Sequence, residues 1–195
     1  FKVGVTPGGA GGSANASVHS VNGDVTGDMT QYAITTQPID GLTLSGSYYD
    51  FGAMGSGDAR QRQEGGSLAA NYSIGQVSFG YGETIHAPAQ AAGVGDTAAV
   101  VTDYYENKGF SLGFAANENL SLSYTQEEST INRKSKATAT DAITRSDVTM
   151  EIQTIDVAYT VGGATFSVSS SEGTNDSYTS GDDTNEHIFA MSLAF

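Results

Sequence analysis

The chain has 195 residues, 22 acidic and 8 basic, for a formal charge of −14, with 25 Gly, 10 Tyr, 8 Phe, 3 Pro and neither Cys nor Trp. That length suits a single domain over 1–195. Bulky aliphatic residues are scarce beside Gly, Ser and Thr, which excludes a packed helical bundle. The acidic balance excludes nucleic acid, whose phosphates call for clustered Lys and Arg, and zero Cys excludes disulfides and thiolate metal sites.

Period-two alternation of apolar and polar residues recurs along the whole chain and predicts strands. Phe1, Val3 and Val5 come first, then Tyr32 with Ile34, then Leu42 to Tyr48. Leu68, Ala70, Tyr72 and Ile74 oppose Ala69, Asn71 and Ser73, and Val77, Phe79 and Tyr81 oppose Ser78 and Gly80. The pattern continues in Phe110 to Phe114, Leu120 to Tyr124, Ile155 to Val161 and Ala164 to Val168, and it ends in Phe189, Met191, Leu193 and Phe195. These make ten candidate strands. No apolar run approaches the ~20 residues of a membrane helix.

The connections sort by length. Pro38–Gly41, Gly75–Gln76, Asn117–Asn119 and Gly162–Gly163 carry the Gly and Asn chemistry of tight hairpins. Between them lie long connections over 7–28, 53–64, 88–104, 132–147 and 174–184, far above the usual few residues. In an up-and-down meander, strict alternation puts every tight turn at one end and every long loop at the other. Outer-membrane barrels are built that way, whereas a Greek-key sandwich has no reason to be.

Taken with those sorted loops, the alternating last strand ending in the aromatic Phe195 resembles the C-terminal signal of outer-membrane barrels. The chain resembles a Gram-negative outer-membrane porin, in particular the C-terminal part of an alphaproteobacterial-type trimeric diffusion porin. The fold class expected is therefore all-β, an antiparallel up-and-down transmembrane β-barrel. The resemblance implies a passive channel for small hydrophilic solutes and ions, a homotrimer, and location in the outer membrane. It also implies contacts with membrane lipid and lipopolysaccharide, recognition of Phe195 by the barrel-assembly machinery, and loops open to phage. No cofactor and no catalytic residue is expected.

At about 20 residues per strand and connection, a porin of about 16 strands would need roughly 320 residues, so this chain reads as ten strands of a longer barrel. The inward positions are mostly Ser, Thr and Gly, among them Thr43, Ser45, Ser78, Ser111 and Ser121. Such residues would fill the narrow interior of a closed ten-stranded barrel poorly. A complete ten-stranded barrel acting as adhesin or surface hydrolase is the alternative, and a soluble acidic sandwich adhesin the third.

The long connections hold 11 of the 22 acids and 6 of the 8 bases, leaving only Lys2 and Lys108 as bases elsewhere. By parity Lys2, Glu127, Asp156 and Glu186 face the lumen, and three acids against one base predict a modest cation preference. Glu83 and Lys108 have lipid-facing parity and are read as boundary charges or a pair at a subunit contact. Tyr48, Tyr81, Tyr105, Tyr124 and Tyr159, with Phe195, are read as the aromatic girdles. Asp28, Asp58, Asp96 and Asp182 each follow Gly in a long connection and read as turn residues, because their spacing matches no Ca²⁺ motif. Asp182, Asp183 and His187, with His86 and Asp103, would serve a surface hydrolase only if they converged; His19 stands alone in a loop.

Overall fold

The computed structural model describes residues 2–8, 29–51, 63–88, 100–135 and 141–193. Phe1, His19, Asp28, Asp58, Asp96 and Phe195 lie outside them. The described residues form one ten-stranded antiparallel sheet in sequence order. Its strands are β1 Lys2–Gly8, β2 Met29–Ile39, β3 Leu42–Phe51, β4 Glu64–Ile74, β5 Val77–Ala87, β6 Val101–Ala115, β7 Leu120–Ser135, β8 Thr144–Val161, β9 Ala164–Thr174 and β10 Thr184–Leu193. The only helical element among these residues is a 3₁₀ turn, Asp176–Tyr178. β1 pairs only with β2 and β10 only with β9, so the sheet is not closed.

All ten expected strands are present, and the tight turns are where Gly predicts them. Gly162 and Gly163 both have positive φ, 58° and 82°, as a two-residue hairpin of the I′ kind needs. At Gly41, φ is 77° and a Cβ would come within 2.2 Å of the Ser73 carbonyl oxygen. Two long connections, 88–104 and 132–147, are shorter than expected. β6 starts at Val101, β7 runs to Ser135 and β8 starts at Thr144, so much of 132–147 is paired strand. Cross-strand polar pairs sustain that ladder: the Thr130 and Thr149 hydroxyls share a 2.8 Å hydrogen bond, and Lys134 lies opposite Arg145 with both bonded to Asp103.

The pairing register gathers the apolar residues on one face. Ile34, Gly46 and Leu68 are successive partners, as are Tyr72, Phe79, Leu112, Tyr124 and Ile155. Tyr159, Phe166 and Met191 follow on β8 to β10. Among the described residues nothing buries this face: Leu68, Phe79, Phe110, Ile155 and Phe189 are all exposed, and the one buried hydrophobic, Ile131 at 4% exposure, lies on the opposite face.

Successive hairpins are offset by a constant step. Gly41 accepts a hydrogen bond from Ser73 N, two residues short of the next turn at Gly75. Gln76 accepts from Ala115 N, two short of Asn117, and Asn119 accepts from Thr160 N, two short of Gly162. The upper limit of the apolar face descends in the same direction, from Tyr48 on β3 to Phe110 on β6, four residues lower, and to Val168 on β9, four lower again, with Ile85 on β5 standing above that line. Two residues per hairpin is one per strand. With a rise of about 3.3 Å per residue and strands about 4.8 Å apart, the strands lean about 35° from the normal to the line of turns.

Candidate pore wall

The face opposite the apolar belt is small and polar, and the register puts Lys2, Glu127, Asp156 and Glu186 on it together. Glu127 lies between Gly109 and Ile152. Glu186 faces Ser171, which continues through Thr154 to Thr125, so Glu186 stands two residues lower than Glu127. Asp156 is level with Ser123, two lower again, and accepts a 3.2 Å hydrogen bond from the Ser123 hydroxyl. The three carboxylates thus descend β7, β10 and β8 in steps of about 6.6 Å along the strands. Lys2, opposite Thr35, sits at the far edge of the sheet on β1. Arg133, expected in a loop, belongs to the polar face of β7 near its tip, opposite Ser146.

Toward the long-loop end, the polar face carries a cluster that alternation does not single out. Tyr49 is hydrogen-bonded through its hydroxyl to His86 Nδ1 at 2.5 Å. The His86 ring lies 6.3 Å from that of Tyr105, at 19° between planes, and Tyr105 lies 5.8 Å from Tyr178. Tyr178 comes from the β9–β10 connection, which folds onto this face. Its hydroxyl shares a 2.6 Å hydrogen bond with Ser129, whose own hydroxyl donates to Asn107 Oδ1, and Asn107 donates to Thr84 at 2.9 Å. The connection is held by Asn175, which donates to the Thr149 carbonyl at 2.8 Å and accepts from Gly181 N at 2.9 Å. Asn175, Ser177 and Tyr178 all have positive φ, 54°, 52° and 57°. Such backbone persists only where its surroundings enforce it.

This placement corrects one expected girdle residue. Tyr105 pairs with His86 and Ile131 and lies on the polar face, because it is an odd number of residues from Phe110. Tyr48, Tyr81, Tyr124 and Tyr159 do share the apolar face. Tyr48 and Tyr124 stand at its upper limit and Tyr81 below Ile85, all three with hydroxyls turned toward polar groups: Tyr48 donates to Glu64 at 3.2 Å, Tyr124 to Gln126 at 3.3 Å, and Tyr81 to Glu83. Tyr159 stands near the tight turns.

Glu83 and Lys108 are direct cross-strand partners on the apolar side. The Lys108 ammonium nevertheless binds Glu106, at 2.9 Å, and its partner on β7 is Glu128, which faces Glu151. One cation therefore stands among carboxylates where β6 to β8 leave the belt. Nearby, a groove of about 630 Å³ opens over Gly66 between Tyr48, Leu68 and Ile85.

At the strand tips Asp103 occupies a bulge in β6 and accepts 2.6 Å bonds from Lys134 and Arg145. Burial would raise its carboxyl pKa, but the two cationic donors outweigh it and hold the group below its ordinary 3.8. The residues weighed for hydrolysis do not converge: His86 is on the polar face of β5, His187 on the other face of β10, and Asp103 is tied in its ion triad. Among the described residues no group of three or more His, Asp or Glu is arranged to hold a metal ion. Asp182 takes part in the backbone bonds that close the β9–β10 connection, as a turn residue would. Comparison with protein-family models, curated proteins and solved structures finds no match to this chain.

Proposed function

We propose that this chain is a sector of a transmembrane β-barrel that forms a passive, cation-preferring channel for small hydrophilic solutes in a Gram-negative outer membrane. The observation that carries the reading is the one-residue stagger per strand of the tight turns, with the upper limit of the apolar face descending in the same direction. A lean of about 35° lies within the 35–45° tilt of outer-membrane strands, and it levels a belt that would otherwise climb from β10 to β2. Lipid is the natural cover for a one-layer sheet whose large apolar residues stand exposed. The tyrosines at the belt edges, hydroxyls toward polar groups, suit its interfaces.

The polar face is then the lumen wall. Its small side chains leave room for water, and Glu127, Glu186 and Asp156 attract cations at close range. Open edges at β1 and β10 favour a wall completed by further strands. The outer side of β7 and β8 is the part least suited to lipid, since Gln126 faces Gln153 and Glu128 faces Glu151 just above Tyr124 and Ile155. Contact between subunits of a homotrimer belongs there, with Lys108 at its margin.

The test is conductance of the purified protein in planar bilayers under a salt gradient. Open steps with a cation-leaning reversal potential are expected. Replacing Glu127, Asp156 and Glu186 together by Lys should move that potential toward anions. Silence from inserted protein would overturn the channel reading, and an unchanged potential in the triple variant would overturn the role of these carboxylates.

A further inference from the structure

The polar face holds a cleft of about 430 Å³ across β5 to β8, over Gly109 and beside Asn107, Glu127, Ser129, Met150 and Ile152. A Cβ on Gly109 would meet no heavy atom within 4 Å, so the space above it is open. Met150 and Ile152 supply an apolar wall on an otherwise hydroxyl-rich surface. Tyr105 and Tyr178 adjoin it through Asn107 and Ser129.

The polar groups around the cleft are already engaged with one another. Asn107 uses its amide nitrogen on Thr84 and its oxygen on Ser129, and Ser129 also bonds Tyr178. Glu127 differs: it is exposed and, among the described residues, makes no hydrogen bond or ion pair. Lys108 also borders the cleft but belongs by register to the other face of β6, where its ammonium binds Glu106; the nearest base on Glu127's own strand and face is Arg133, six residues away, about 20 Å along the strand. The cleft therefore offers one unneutralised carboxylate beside an apolar wall.

The geometry points to a binding site for a small organic cation, its ammonium group on Glu127 and its carbon skeleton against Met150 and Ile152. An anion is repelled. A divalent metal ion wants several oxygen ligands, and one carboxylate supplies too few. A neutral sugar needs unengaged donors and acceptors, which this wall has largely satisfied internally. A carbon-bearing cation gains from both the charge and the apolar surface. In the pore this site would hold such solutes above the lower carboxylates Glu186 and Asp156.

The inference rests on the channel reading in taking this face as the one that solutes reach. The test uses the full chain with choline as probe and glucose as neutral comparison. Binding is followed by calorimetry in detergent, and conductance is followed separately in bilayers. Choline should bind and slow the potassium current, with affinity at least tenfold lower in Glu127→Gln and in Gly109→Val, which fills the cleft. Glu118→Gln, in a tight turn, should leave choline affinity unchanged. Unaltered mobility of the unboiled variants on gels shows that they fold. Conducting protein that ignores choline, binds it equally in Glu127→Gln, or prefers glucose overturns the site while the channel stands. Glu127-dependent binding without conductance upholds the site and overturns the channel.

Discussion

Leu112 tests which face meets lipid. It lies mid-belt on β6, flanked along the strand by Phe110 and Phe114 and across it by Phe79 and Tyr124, with 37% of its surface exposed. In a bilayer, Leu112→Arg sets a guanidinium against hydrocarbon near the midplane, at a cost of about 2–4 kcal/mol. Thr125, level with Ser111, lies on the opposite face. Thr125→Arg enters a wet lumen, where a surface substitution stays within about 0.5 kcal/mol. The two variants add the same charge to neighbouring strands. Reversible urea unfolding in phospholipid vesicles, followed by tyrosine fluorescence, should thus separate them by about 1.5–4 kcal/mol, at least a tenfold ratio in the unfolding constant. If the apolar face met water instead, Leu112 would lose only part of its transfer energy, about 1 kcal/mol, and the gap would narrow accordingly. Equal destabilisation of both variants, or a larger effect at Thr125, would refute the assignment of faces.

Asp103 lies seven residues above Phe110, beyond the belt, and its carboxyl is held below the ordinary value of 3.8. A depressed pKa gives stability that is complete above the unfolded value and lost as pH falls through the folded one. Protection from hydrogen exchange at the tips of β6 to β8, taken relative to the intrinsic rate at each pH, should therefore hold at pH 5 and fall below about pH 4, with less pH dependence in Asp103→Asn. Asn175→Gly keeps the left-handed backbone but loses the bonds to Thr149 and Gly181, whereas Asn175→Ala also strains the backbone, by about 1–2 kcal/mol. Limited proteolysis within 176–183 should rise from wild type to Gly to Ala; the reverse order would dismiss the anchoring role. Lys108→Ala leaves Glu83, Glu106 and Glu128 without their shared cation and should lower the temperature at which subunits separate on unheated gels. No change would place Lys108 away from the contact.

Strand existence and hairpin position were legible because each rests on local rules. Alternation of Leu, Tyr and Phe with Ser and Gly marks a sheet with one apolar side, and paired glycines at 162 and 163 admit the positive φ of a tight turn. Strand ends were less legible. Thr144 to Asp147 and Asn132 to Ser135 read as loop because their residues are mostly charged or hydroxylated, yet pairing with each other and binding Asp103 keeps them extended. Tyr105 was misplaced although its parity could be counted back from Phe110. Tyr49 beside Tyr48 and His86 beside Ile85 were equally countable, whereas Tyr178 gave no signal, lying in an irregular connection.

By itself the sequence determined an all-β meander of ten strands, one apolar face, one small polar face, and the excess of acids over bases among Lys2, Glu127, Asp156 and Glu186. These follow from side-chain periodicity and composition, which act within a few residues. Only the tertiary structure decided the register, and with it the constant offset of successive hairpins and the descent of three carboxylates across the last four strands. It alone brought Tyr178 onto Ser129 and left Glu127 open beside Met150 and Ile152. Those relations join residues tens of positions apart, and a slip of one residue between strands would undo each of them.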